Sequence, residues 1–184
     1  MKSLAKFVVG TVITAAALGA SVTASAGVLV IDDTTAGNAT WNRPIAGSNS
    51  LSGAGTDVEF DVIRLRVNAN GSYNFRSTTT NYDNYLFLYS GSFNPAAQFT
   101  NLIAGNDDFG SLRISAFSSN LMAGVDYYAV ATGFANSDQG AYKLTVSSLA
   151  GTAFVPTEVP EPATSALAAL AVAGLFMARR RKVS

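Results

Sequence analysis

From residue 27 to about residue 148 no stretch of ten or more residues holds apolar positions at a helical 3.6-residue spacing; the chain alternates instead. Residues 142–146 place Tyr142, Leu144 and Val146 on one side of an extended backbone and Lys143 and Thr145 on the other. Comparable runs at 28–31, 58–67, 72–76, 85–89, 112–117 and 127–133 predict further strands. Turn residues separate them at 68–71, Ser90-Gly91, Asn94-Pro95, 106–108, Ala123-Gly124 and 138–140. Short strands, Gly/Asn/Asp turns and no crossover helices predict an all-β fold, an antiparallel jelly-roll-like β-sandwich.

Two runs say more than their length. In residues 58–67 the apolar positions are even at Val58, Phe60 and Val62 and odd from Ile63 onward, which predicts a β-bulge or bend that keeps Arg64 and Arg66 outward. Residues 85–89, YLFLY, are apolar on both faces and predict a central strand covered on each side.

The two ends follow other patterns. Residues 1–26 begin with Lys2 and Lys6, continue through an apolar stretch and finish with Ala24-Ser25-Ala26. That order predicts a secretory signal helix removed by signal peptidase between Ala26 and Gly27. Near the other end, residues 163–178 carry no charge and would make about 24 Å of helix at ~1.5 Å per residue, short of a hydrocarbon core of ~30 Å. Pro160 and Pro162 break any helix upstream, while Arg179, Arg180, Arg181 and Lys182 anchor the cytoplasmic side. The expected organisation is therefore a signal peptide at 1–26, a β-sandwich at 27–149, a linker at 150–158 and a tail at 159–184 with a transmembrane helix at 163–178.

Composition narrows the chemistry. There is no cysteine and no histidine, which removes disulfides, thiolate or imidazole metal sites, and every Ser-His-Asp or Cys-His arrangement. Six of the 12 positive charges sit at the ends. Between residues 27 and 155 ten acids face six bases, so no basic stripe is available for nucleic acid.

Asn106, Asp107 and Asp108, with Asp83 adjacent in the sheet, offer the hard oxygens Ca²⁺ prefers, although the same residues suit a tight turn. No other cofactor is expected. Asp57, Glu59 and Asp61 share one strand face, read as a solvated outer surface rather than a glycosidase acid/base pair. Trp41 is the candidate glycan contact among aromatic residues that otherwise belong to the core.

Val159-Pro160-Glu161-Pro162, the apolar run and the terminal basic cluster together resemble the PEP-CTERM sorting signal. The resemblance implies an exosortase as partner, transient residence in the inner membrane, cleavage near the motif, and delivery to the surface of a bacterium that makes extracellular polysaccharide. A second resemblance lies in the body. DVEFDV at 57–62, NGSYNF at 70–75, YDNYLFLY at 82–89, NDD at 106–108, LRIS at 112–115, MAGVDYYAV at 122–130 and GAYKLTV at 140–146 look, in that order, like the bacterial pre-peptidase C-terminal domain. It covers about residues 55–147 and implies a jelly-roll accessory module. The chain thus reads as a non-enzymatic, exported, exopolysaccharide-associated or adhesive protein, with an accessory module acting in trans on a secreted peptidase or other hydrolase as the alternative.

Overall fold

The computed structural model describes residues 27–157. The signal-peptide site at Ala24 and Ala26 lies outside the described residues, as do residues 159–184 with the sorting motif, the expected membrane helix and the basic anchor. Ten strands follow in chain order: β1 (Gly27–Thr34), β2 (Thr40–Trp41), β3 (Val58–Val67), β4 (Gly71–Thr79), β5 (Asn84–Ser90), β6 (Leu102–Asn106), β7 (Ile114–Leu121), β8 (Tyr127–Gly133), β9 (Ala141–Ser148) and β10 (Ala153–Phe154). Among the described residues there is no helix, and hence none long and apolar enough to cross a membrane.

All pairings are antiparallel. One sheet has the order β1-β9-β4-β7 and the other β10-β3-β8-β5-β6, with β2 added to β3. The alternation of each strand buries one face between the sheets. Tyr73, Phe75, Tyr142, Leu144 and Val146 from the first sheet meet Ile63, Leu65, Val67, Leu86 and Leu88 from the second.

A second core lies on the opposite face of the larger sheet, where Trp41, Val58, Phe60, Tyr85, Phe87, Tyr89 and Val130 pack together under Phe93. It accounts for both unusual strands. β5 is buried on both sides, Leu86 and Leu88 toward the first core and its three aromatics toward the second. β3 contains no bulge: its register with β8 runs unbroken from Phe60↔Thr132 to Leu65↔Tyr127. Its even positions Val58, Phe60 and Val62 face the second core, and its odd positions Ile63, Leu65 and Val67 face the first. The switch in the sequence reports two hydrophobic environments along one regular strand, and Arg64 and Arg66 remain outward without any irregularity.

The expected linker at 150–158 contains β10, whose Ala153 and Phe154 pair with Val67 and Arg66. The folded body therefore extends past residue 149. β2 and β10 are each two residues long, too short for any periodicity to register.

Candidate functional site

Three connections at one end of the sandwich bring acids together. Asp83 immediately precedes β5, Asp107 and Asp108 immediately follow β6, and Asp138 lies between β8 and β9. Hydrogen bonds hold these connections to one another. Asn84 N donates to the Leu112 carbonyl at 2.8 Å and Phe134 N to the Asp83 carbonyl at 3.0 Å. The fully buried Ser115 hydroxyl lies 2.8 Å from the Asn84 carbonyl and 2.5 Å from the Asp107 carbonyl, its single proton shared between the two strand ends. Asp138 closes its own loop by accepting from Ala135 N at 2.8 Å.

Within this frame one carboxylate oxygen from each of Asp83, Asp107 and Asp108 lies within 4.8 Å of the other two. Asp83 Oδ1 and Asp107 Oδ1 are enclosed and accept no hydrogen bond. Enclosure and mutual repulsion both favour the protonated form: burial first, then Asp107, Asp108 and Asp138, push the Asp83 carboxyl up to about 6. Burial and then Asp108 raise Asp107 as well. Arg43 opposes both shifts from the side. Two arrangements relieve such a group, a proton on Asp83 or a cation among the oxygens. Carboxylate oxygens without competing donors are what a hard divalent ion uses, and the remaining positions of a six- to eight-oxygen shell would fall to water and backbone carbonyls.

Arg43 is the member that sequence reasoning missed. It is 1 % exposed. Its guanidinium donates to the Phe134 carbonyl through Nε at 3.0 Å and Nη2 at 2.7 Å, and to the Pro44 carbonyl through Nη1 at 3.1 Å. It lies over the rings of Tyr85 and Phe134, with Cζ 4.1 and 4.9 Å from their centroids. Residues 42–44 read as an ordinary loop, and nothing in the letters marks this arginine as interior.

Asn106 Oδ1 accepts from Ala116 N at 3.0 Å and ties β6 to β7. Two expectations need correction. Trp41 is 4 % exposed and packs against Phe60, Phe87 and Phe93, with Nε1 donating to Thr132 Oγ1 at 3.2 Å. It is a core residue, with no face to offer a sugar. Asp57, Glu59 and Asp61 do not form a solvated outer face. Asp61 turns toward the facing sheet and accepts from the Tyr142 hydroxyl at 2.5 Å, while Glu59 accepts from Gly37 N at 2.9 Å. Glu59 and Asp61 each serve a separate structural contact, while Asp57 is exposed.

Comparison with curated proteins finds no match. The resemblance of residues 55–147 to the pre-peptidase C-terminal domain is not supported by a family match. Residues 158–182 match the PEP-CTERM protein-sorting motif, beginning four residues after β10 ends. The chain is accordingly an exported protein, processed by an exosortase from a precursor that its C-terminal tail anchors in the membrane.

Proposed function

We propose that the sandwich is a non-enzymatic binding module of the bacterial surface or extracellular matrix, associated with exopolysaccharide. The observation that carries this reading is the sorting motif at 158–182, placed directly after a folded β body. The body offers a ligand two surface depressions of about 340 and 370 Å³, lined by Ala46 to Asn49 with β6 and by Asp32, Asp33, Thr78 and Tyr142. We read the two-sheet body as jelly-roll-like, with Asp83, Asp107 and Asp108 holding Ca²⁺ at the end where three connections meet. The ion would cancel the repulsion among these acids and fix their loops, which is a structural and not a catalytic service.

The test is binding of the purified processed protein to polysaccharide extracted from the producing cells, with Ca²⁺ and with chelator. Saturable binding is the expected result. Absence of binding to that polysaccharide and to a broad glycan array in both conditions overturns the matrix role and leaves the sorting assignment standing.

A further inference from the structure

The two ends of the sandwich differ in charge. The connections at 68–71, 91–101, 122–126 and 149–152 gather at one end, and their single charged residue is Asp126, whose charge Arg64 and Arg66 offset. The opposite end carries Asp57, Asp83, Asp107, Asp108 and Asp138 on its connections against Arg43 and Arg113, an excess of acids.

The charge-poor end is also well braced. Ala123 N donates to Asn70 Oδ1 at 2.8 Å, Thr152 N to Asn68 Oδ1 at 2.8 Å, and Gly91 N to the Asp126 carbonyl at 2.7 Å. A Cβ on Gly71 would collide with the Ala150 side chain, so the two turns meet where only glycine fits. Asp126, the one acid at the margin, is held by both Arg64 and Arg66. Two large apolar side chains nevertheless stand out from this end, Leu149 at 84 % and Met122 at 58 % exposure. Exposed Phe109 and Leu112 occur at the far end too, but among the acids.

The chain's own connections decide which surface lies opposite. β1 begins at this end, where Gly27 pairs with Ser148, and β10 starts here from the 149–152 turn. From Val155 to the apolar run at Ala163 there are eight residues, a reach of about 27 Å at ~3.4 Å each. The sandwich is thus tethered within about its own dimension of the bilayer that holds the tail. Of its two ends, the acidic one is repelled by anionic headgroups and the charge-poor one is not.

We propose that in the membrane-anchored precursor the charge-poor end rests on the lipid surface, with Met122 and Leu149 entering the headgroup region. This inference goes beyond the binding role and needs only the anchored tail. Contact of this kind holds the segment around Pro160-Glu161-Pro162 between sandwich and membrane in a fixed orientation, in place of free swinging on a tether.

The absence of cysteine makes the test direct. Full-length chains with a single Met122→Cys, Leu149→Cys, Asn81→Cys, Phe109→Cys or Leu170→Cys substitution are labelled with an environment-sensitive fluorophore. They are then reconstituted into phosphatidylcholine and phosphatidylglycerol vesicles with brominated acyl chains. Labels at 122, 149 and 170 should lose most of their fluorescence to bromine quenching, and labels at 81 and 109 should report water. Quenching at 170 with labels 122 and 149 as wet as 81 overturns the docking and spares the anchored precursor. A wet label at 170 overturns both. Circular dichroism of each labelled chain establishes that the sandwich is intact, and Ala123→Cys and Ala150→Cys replace any variant that unfolds.

Discussion

The guanidinium of Arg43 lies over the face of Tyr85, its central carbon 4.1 Å from the ring centroid, and the Tyr85 hydroxyl accepts the Ala46 backbone N–H at 2.7 Å. Residues 42–46 are thereby stitched to β5 by a stacked cation on one side and a backbone hydrogen bond on the other. The cation donates to the carbonyls of Pro44 and Phe134. Arg43→Met keeps much of the volume but strands those carbonyls, so a loss of about 3 kcal/mol is expected in urea unfolding. Arg43→Lys should also destabilise, because an ammonium cannot reproduce the fork.

Asp83 makes the body sensitive to pH in an unusual direction. Its folded pKa of about 6 exceeds the unfolded value of 3.8, so the native state binds the extra proton between those two pH values. The stabilisation is full below about pH 4 and is lost as pH rises to about 6. In chelator, Asp83→Asn should therefore raise the melting temperature at pH 7 and flatten the pH dependence between 4 and 6. A variant that melts like the parent across that window contradicts the assignment.

Calcium should substitute for the proton. At neutral pH, Ca²⁺ at a hundredfold excess over its dissociation constant should stabilise the protein by about 2.7 kcal/mol, seen as a higher melting temperature. Asp107→Asn, and Asp83→Asn with it, should abolish the shift. A flat calorimetric titration of the parent protein removes the ion from the account.

Asp126 behaves in the opposite sense. Hydrogen bonds from Arg66 and then Arg64 hold its carboxyl well below the usual range, so its contribution is present above the unfolded pKa and lost as pH falls toward the folded one. Asp126→Asn should lower the melting temperature at pH 7, less so in high salt because all three side chains are partly exposed.

Trp41 should now respond as a core residue. Trp41→Ala is expected to cost about 3–5 kcal/mol, and Trp41→Phe about 1 kcal/mol through the lost hydrogen bond to Thr132. Neither should change glycan affinity once folding is allowed for, which equilibrium binding below the melting transition would establish.

Period-2 alternation placed β3 and β8 at their observed bounds, because both are long and patterned on at least one buried face. It failed where a strand owes its existence to a neighbour. β6 has Ala104 and Gly105 at its centre and depends on pairing with β5, and β10 is two residues held against β3. The second core was legible only as anomalies, the parity switch at Ile63 and the doubly apolar β5, since a single strand does not say what covers its other face. At the acid cluster, Asp83, Asp107 and Asp108 were visible as residue types. Asn106 was visible too, but not the hydrogen bond its oxygen accepts from Ala116 N, a partner that only the β6-to-β7 geometry supplies. Arg43 left no trace because its burial comes from loops folding over it.

The central claim is that the tail is a temporary handle, and the mass of the mature protein tests it most directly. In the producing cells, the protein recovered outside the inner membrane should have lost the apolar run and the basic cluster beyond Pro162, while a chain with Pro160, Glu161 and Pro162 replaced by alanine should stay in the membrane fraction at full C-terminal length. A mature protein that still ends in Ser184 would contradict the account.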